Sequence, residues 1–251
     1  MTDRHGVGVL LAGVQRRYGS QSVLRGVDLA IRPGELMAIL GQSGTGKSVL
    51  LRQIIGLERP DAGQITVGDL PLATYLAVPP DDKPFRMAMV FQGAALLASL
   101  SVRDNVALRL RERGRQSAAT IEAIVQDVLG QVDLQGAIDQ MPGDLSGGMR
   151  KRAAIARALA VDPELILYDE PTADLDPILT EQMAHLIRRI RDTRGSTQVV
   201  VTHNLALARA IADRVAVLAD GRVVDCCPPA ALAASTHPLT REFLRAAALG
   251  T

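Results

Sequence analysis

Three short, mainly apolar runs punctuate the chain, at 36–40, 165–168 and 198–201. Continuous runs of this length are typical of strands that are buried on both faces in a parallel sheet. A polar cluster follows each run, beginning at Gly41, Asp169 and His203. Because open α/β sheets bind ligands at the carboxyl ends of their strands, we expect the three clusters to meet in space.

Helical patterns lie between these runs. An apolar residue recurs every three or four positions after Pro177, which predicts a one-faced helix with a proline near its start. A second, alanine-rich helix is predicted over 149–161. The segments 7–12, 23–31 and 65–67 have strand-like patterns, and Asp220-Gly221 predicts a hairpin between 215–218 and 223–224.

The pattern as a whole predicts an α/β fold with a mainly parallel sheet and an antiparallel β region. Few strand signals occur between about 93 and 160, so we interpret that stretch as an inserted helical subdomain. One domain is expected over 7–225, followed by a short C-terminal helical tail over 226–251.

Composition narrows the class of protein. With 251 residues and 47% hydrophobic residues, the chain is long and apolar enough to form a core. A net charge of +1 and the scarcity of aromatic residues argue against nucleic-acid binding. No uncharged run reaches the ~18 residues that span a bilayer, and the adjacent Cys226 and Cys227 give no disulfide framework. We therefore expect a soluble, cytoplasmic chain whose membrane role, if any, depends on partners.

The most specific motif is a phosphate-binding loop at 41–48, GQSGTGKS, which matches G-x-x-x-x-G-K-[ST]. Its glycines allow successive backbone N–H groups to point at phosphate oxygens, and the helix that follows adds its positive N-terminal dipole. Lys47 is expected to reach the β- and γ-phosphates, and the Ser48 hydroxyl to bind Mg²⁺.

Two carboxylates end the second apolar run. Asp169 suits a position near Mg²⁺, and Glu170 suits the orientation or deprotonation of water. His203 follows the third run and is expected to join them. Gln92 follows another apolar stretch, 87–91, and its side chain can bind Mg²⁺ or orient water.

A second glycine motif, LSGGM at 145–149, opens the alanine-rich helix. Ser146, Gly147 and Gly148, hereafter the Ser-Gly-Gly segment, form either an anion site or an ordinary helix cap. The order of all these motifs resembles the ATP-binding cassette (ABC) family over about 7–224. The resemblance implies the P-loop NTPase core of an ABC nucleotide-binding domain, with Mg²⁺-dependent ATP hydrolysis coupled to transport.

The resemblance also implies roles for the matching residues. Tyr18 would stack on adenine, 173–176 (ADLD) would form the D-loop, and the Ser-Gly-Gly segment would contact the ATP of a second chain in a head-to-tail homodimer. Glu170, His203, Gln92 and Lys47 would be catalytic, and Ser48, Gln92 and Asp169 would bind Mg²⁺. The remaining ATP contacts would come from Gly41, Gln42, Ser43, Gly44, Thr45, Gly46, Lys47, Ser48 and Val49. Met149 and Asp174 depart from common family residues without removing a catalytic group, so both sites of the homodimer should be competent.

Several segments further resemble the ATPases of the Mla/Mce lipid-transport systems (MlaF and MceG type). They are FQGAALL at 91–97, LSGGMRKR at 145–152, VTHN at 201–204 and REFL at 241–244. This resemblance implies a permease that moves phospholipids or related lipids, an MCE-domain lipid-binding protein and a small STAS-domain protein. The chain would lie on the cytoplasmic side of the inner (plasma) membrane, held there by the permease.

Other functions remain open at this point. The chain could serve lipoprotein release or amino-acid import, act as a non-transport ABC ATPase in translation or DNA repair, or be a small-molecule kinase. Five arginines within 103–115 form either a solvated helix face or a contact with the permease or anionic lipid headgroups.

Overall fold

A computed structural model describes residues 6–249 of the chain. The strands are β1 (Val9–Tyr18), β2 (Gln21–Ile31), β3 (Leu36–Leu40), β4 (Ala62–Val67), β5 (Leu70–Pro71), β6 (Met87–Val90), β7 (Leu165–Asp169), β8 (Thr197–Thr202), β9 (Arg214–Ala219) and β10 (Arg222–Cys227). The α-helices are α1 (Lys47–Ile54), α2 (Leu72–Ala77), α3 (Val102–Arg113), α4 (Ala118–Gln131), α5 (Gly147–Leu159), α6 (Pro177–Arg194), α7 (Leu205–Ile211) and α8 (Pro238–Leu249).

The central sheet has six strands in the order β10-β9-β3-β8-β7-β6. The pairings from β9 to β6 are parallel, and only β10 pairs antiparallel at the edge. A second, antiparallel sheet has the order β2-β1-β4-β5. The predicted fold class, a mainly parallel sheet with an antiparallel β region and inserted helices, is confirmed.

Burial on both faces explains the continuous apolar runs. In β3, Met37 and Ile39 pack into a core that includes β1, β2 and α1, whereas Ala38 and Leu40 face α7 and α8. All five residues of β3 are buried, as are all residues of β7 and β8. The polar clusters at 41, 169 and 203 therefore lie together at the carboxyl edge of the open central sheet.

Helices α3, α4 and α5 occupy the stretch between β6 and β7 and share one large core with α6. In α3, Arg109 and Arg111 lie on the solvated side and pair with Glu112 and Asp104, and Arg115, just after the helix, pairs with Asp81. These ion pairs favour the solvated-face interpretation. Within residues 6–249, no helix combines the length and apolarity that crossing a bilayer requires.

The predicted helical tail needs a correction at its start. Strand β10 continues through Cys226 and Cys227, which pair with Ala216 and Val215 of β9. Both cysteines are partly buried, because Cys226 packs against the core on one face of the sheet and Cys227 against the core on the other. The hairpin itself is confirmed, with Asp220 and Gly221 at φ 48° and 72°, and α8 ends the described part of the chain.

Candidate functional site

The phosphate loop joins β3 to α1 at the centre of the sheet edge. Gly44 and Gly46 have φ values of 82° and 98°, which residues with a side chain adopt only under strain. A Cβ on Gly41 would lie 2.5 Å from the carbonyl oxygen of Leu218. Gly46 is the N-cap of α1 and provides no side-chain acceptor, so the amides of the first turn are available to an anion.

Lys47 lies folded back over this loop. Its Nζ donates to the carbonyl oxygens of Gly41 (2.8 Å) and Gln42 (3.0 Å) and lies 3.5 Å from Glu170 Oε1. The side chain is 6% exposed. Burial lowers the pKa of Lys47, while the carboxylates of Glu170 and Asp169 act in the opposite direction. The cation is thus held at the phosphate loop by oxygens that a triphosphate could replace.

Ser48 and Asp169 come together although they are 121 positions apart. The Ser48 hydroxyl donates to Asp169 Oδ1 at 2.8 Å. Hydroxyl and carboxylate oxygens are ligands that Mg²⁺ accepts, together with phosphate oxygens and water. Among the described residues, no cluster of three or more His, Cys, Asp or Glu could hold a metal alone, so Mg²⁺ would need these shared ligands. The residues present fit that cofactor.

Burial raises the pKa of Asp169, and the neighbouring Glu170 charge raises it further. The hydrogen bond from Ser48 lowers this pKa. A bound Mg²⁺ would likewise favour the ionised form. The buried environment of Asp169 therefore disfavours the ionised carboxylate, and a bound cation would offset this effect.

Glu170 links the ends of β7 and β8. Its φ is 45°, in the left-handed region, and its N–H donates to the carbonyl oxygen of Val201 at 3.0 Å. Its Oε2 lies 3.1 Å from His203 Nδ1 and accepts from the His203 backbone N–H at 3.3 Å. With Lys47 on the other carboxylate oxygen, Glu170 is oriented from both sides at the mouth of the loop.

The predicted site thus assembles only in part within one chain. Lys47, Ser48, Asp169, Glu170 and His203 are connected by contacts, as the strand-end argument predicts. Gln92 follows β6 with an exposed side chain, and no hydrogen bond among the described residues joins that side chain to Ser48 or Asp169. Gln42, Ser43 and Gly44 are exposed along the phosphate loop, and Thr45 and Val49 are partly buried.

The Ser-Gly-Gly segment stands apart from this cluster. Ser146 caps α5 by accepting from Met149 N at 3.2 Å, and both Ser146 and Gly147 are exposed. Within residues 6–249, no hydrogen bond connects the segment to the phosphate loop. Near the start of α6, Asp174 has φ 62°, a conformation that glycine adopts freely and that aspartate tolerates better than most residues.

Tyr18 ends β1 and is 42% exposed. Its hydroxyl donates to Glu58, which also accepts from Arg52 of α1. The Arg16 guanidinium lies over the Tyr18 ring, 4.7 Å from its centroid. This network ties the tyrosine to the helix that carries Lys47 and Ser48.

Sequence reasoning missed Lys151 and Arg157 of α5. Lys151 donates to the backbone carbonyls of Gln92 and Glu170, and Arg157 donates to those of Ala94 and Ala95. Hydrogen bonds to distant backbone atoms leave no motif. One signal was available for Lys151, because it shares the buried face of α5 with Gly148 and Ile155 at helical spacing.

A glycine-rich loop and a helix follow a central parallel strand. Beside the loop lie a hydroxyl-carboxylate pair and a second carboxylate that contacts the loop lysine. Together these features define a P-loop nucleotide-binding protein. The comparisons with known proteins refine that class. A family model described as "ABC transporter" matches residues 24–173. The chain belongs to this family; it is an ABC ATPase domain, and ATP and Mg²⁺ are its ligands.

Curated relatives include the probable ribonucleotide transport ATP-binding protein mkl of Mycobacterium tuberculosis, 38% identical over 98% of this chain and 68% of that protein. The sulfate/thiosulfate import ATP-binding protein CysA of the same species is 44% identical over 86% of this chain and 60% of that protein. The chain thus spans about two thirds of the length of these relatives. Among solved structures, the dimeric ATP-binding cassette MJ0796 bound to ADP and Pi has a TM-score of 0.78 at 32% identity, covering 88% of this chain and 98% of that one.

Proposed function

We propose that this chain powers a membrane permease that moves phospholipids or related lipids, in a transporter of the Mla/Mce type. The joint presence of FQGAALL, LSGGMRKR, VTHN and REFL carries the proposal. In the structure, the last of these segments belongs to α8, and Phe243 packs into the core beneath the central sheet. Partners in this proposal are a permease, an MCE-domain lipid-binding protein and a small STAS-domain protein. The chain would be peripheral, on the cytoplasmic side of the inner (plasma) membrane.

A second candidate comes from the names of the relatives. The mkl protein is described as a probable ribonucleotide transport subunit, and CysA as a sulfate/thiosulfate import subunit. Under this alternative the ATPase chemistry is unchanged, because cargo recognition belongs to the permease and its binding protein. The two candidates therefore differ in the cargo and not in the site described above.

In the hydrolysis step, Glu170 accepts a proton from the water that attacks the γ-phosphate. Contacts from Lys47 and His203 support this role because they hold the carboxylate at the loop. Lys47 exchanges the carbonyls of Gly41 and Gln42 for phosphate oxygens. Ser48 and Asp169 would hold Mg²⁺, with Gln92 as a further ligand, and the bound cation would supply charge stabilisation for the transferring phosphoryl group.

Two copies of the chain are proposed to bind ATP head to tail. The exposed Ser146 and Gly147 support this arrangement, since no hydrogen bond among the described residues joins them to the phosphate loop of their own chain. The related cassette MJ0796 is described as dimeric. Each nucleotide would lie between the phosphate loop and Tyr18 of one copy and the Ser-Gly-Gly segment of the other. Hydrolysis would remove the γ-phosphate that joins them.

Purification of the full chain from membranes, in mild detergent, tests the cargo. We expect a permease and an MCE-domain protein in the complex, together with phospholipid in excess of that carried by an unrelated transporter purified in parallel. A sulfate- or ribonucleotide-binding partner, with lipid at the level of that control, would contradict the lipid proposal.

Glu170→Gln tests the hydrolysis step. The substitution keeps the size and hydrogen bonding of the side chain but removes the base, so steady-state ATPase should fall roughly 10²–10⁴-fold while ATP binding persists. ATP should then hold two chains together, which size-exclusion chromatography measures. ATPase close to that of the unaltered protein would show that Glu170 is not the base.

A further inference from the structure

Lys151 is a buried cation that has no role in the ATPase chemistry described above. It lies in the second turn of α5, on the face that packs into the protein, and is 8% exposed. Keeping a lysine there is costly unless its ammonium finds partners. Burial lowers the pKa of Lys151, and the charges of Asp174 and Glu170 act against that shift.

The partners of the ammonium are backbone carbonyls at the ends of two adjacent strands. Nζ donates to the carbonyl oxygen of Gln92 at 3.3 Å and to that of Glu170 at 3.4 Å. Gln92 follows β6, and Glu170 follows β7, its parallel neighbour. One side chain thus bridges the backbones that carry two proposed catalytic groups.

Arg157, farther along the same helix, holds the loop after Gln92. Its guanidinium donates to the carbonyl oxygens of Ala95 (2.6 Å) and Ala94 (3.0 Å). These alanines have φ values of 50° and 63°, and Glu170 has 45°. Left-handed conformations at such residues persist only where their surroundings enforce them. Two side chains of α5, Lys151 and Arg157, therefore hold this loop by hydrogen bonds to its backbone. Of the two, only Lys151 also donates to the backbone of Glu170.

We propose that Lys151 is a positioning residue for ATP hydrolysis. It fixes the backbones of Gln92 and Glu170 to α5, the helix that begins with the Ser-Gly-Gly segment. Engagement of a partner's nucleotide by that segment is thereby transmitted to the base and to the Mg²⁺ ligand. The inference rests on the proposed roles of Glu170 and of the Ser-Gly-Gly segment.

The test compares Lys151→Met with Lys83→Met in the full chain, purified with its permease. Methionine keeps much of the length of lysine and cannot donate. Lys83 is a matched control, because its Nζ also donates to a backbone carbonyl, that of Tyr75 at 2.7 Å, and burial lowers its pKa as well. Lys151→Gln, which retains a donor, is a second variant.

We expect Lys151→Met to lower kcat about 10- to 100-fold, since small misplacement of reacting groups costs rates of this order. The dissociation constant for ATP should stay within about twofold, because the loop contacts are intact. The Mg²⁺ concentration for half-maximal activity should rise. Lys151→Gln should fall between Lys151→Met and the unaltered protein, and Lys83→Met should match the latter.

Equal kcat values for Lys151→Met and Lys83→Met would overturn the inference. So would a loss of ATP affinity or of folding in both Lys151 variants, since either would assign Lys151 to general stability. Glu170→Gln distinguishes a failure of the positioning role of Lys151 from a failure of the proposed role of Glu170 as the base. If that variant is inactive while Lys151→Met is not, only the positioning role fails; if Glu170→Gln stays active, the proposed base itself is wrong.

Discussion

At the scale of single residues, the site sets two carboxylates side by side in a buried strand end. Asp169 and Glu170 are 7% and 8% exposed. The two carboxylates contact different groups: Asp169 accepts from a serine hydroxyl, and Glu170 lies between a lysine and a histidine. The environment thus favours separate roles, one toward a divalent cation and one toward water.

Asp169→Asn should separate stability from activity. Because burial raises the pKa of Asp169, the ionised carboxylate disfavours the folded state above that pKa. The asparagine variant should therefore have the higher free energy of unfolding at neutral pH, without nucleotide. Its Mg²⁺-dependent ATPase should fall at least ~10²-fold.

The raised pKa of Asp169 also fixes the direction in which the stability of the folded chain changes with pH. The folded chain binds the Asp169 proton more tightly than the unfolded chain, so the stabilising contribution exists below the ordinary pKa of 3.8 and is lost as pH rises through the folded pKa. Urea unfolding at about pH 4, close to the ordinary pKa, and at about pH 8 should show a larger stability advantage for Asp169→Asn at the higher pH. A variant that is less stable at both values would contradict the electrostatic interpretation.

At the scale of elements, the phosphate loop owes its shape to glycines packed against neighbouring strands. A Cβ on Gly46, at φ 98°, would lie 2.9 Å from a Val23 methyl group and 3.0 Å from one of Leu24, both on β2. The backbone of the loop and the second sheet thus constrain each other. Any residue larger than glycine must disturb either the φ angle or this packing.

Gly46→Ala should lower the free energy of unfolding by about 2 kcal/mol, combining left-handed strain with the clash at Val23. Gly143→Ala is the control, since its Cβ would have no neighbour within 4 Å. Chemical denaturation measures both variants, and ATP titration should show weaker binding only for Gly46→Ala. Equal stabilities would mean that the loop adapts without strain.

The sequence predicted the strands at the site better than the strands elsewhere. The continuous apolar run of β3 coincides with the observed strand, because burial on both faces leaves an unambiguous pattern. Strand β1 runs from Val9 to Tyr18, well beyond the predicted 7–12. Its outer half is mainly polar, with Arg16 partly buried and Arg17 exposed, so pairing with β2 rather than local apolarity defines this part of the strand.

Site residues that bind backbone atoms were not predicted, because here too the folded arrangement and not a local sequence pattern defines the contact. The motifs predicted that the phosphate loop and the two carboxylates meet, and in the structure Ser48 contacts Asp169 and Lys47 contacts Glu170. Lys151 acts on the carbonyls of Gln92 and Glu170, and any residue offers a carbonyl. Only the folded arrangement of β6, β7 and α5 shows which ones are near.

At the scale of the whole molecule, the proposed nucleotide site needs two chains. One chain brings together the phosphate loop, Asp169, Glu170 and His203, and leaves Ser146 and Gly147 exposed on its surface. Two variants probe this arrangement from opposite sides. Ser146→Arg should obstruct a partner's nucleotide, and Lys47→Ala should weaken nucleotide binding by the chain's own loop.

Nucleotide binding by a mixed dimer of these two variants tests the two-chain site most directly. In a head-to-tail dimer, one site carries both substitutions and the other carries neither; if each site belonged to one chain, each would carry one. We expect trapped heterodimers to bind ATP between the chains at one intact site, while each homodimer fails to close around ATP. Heterodimers that bind no nucleotide at a two-chain interface would contradict the proposed mechanism.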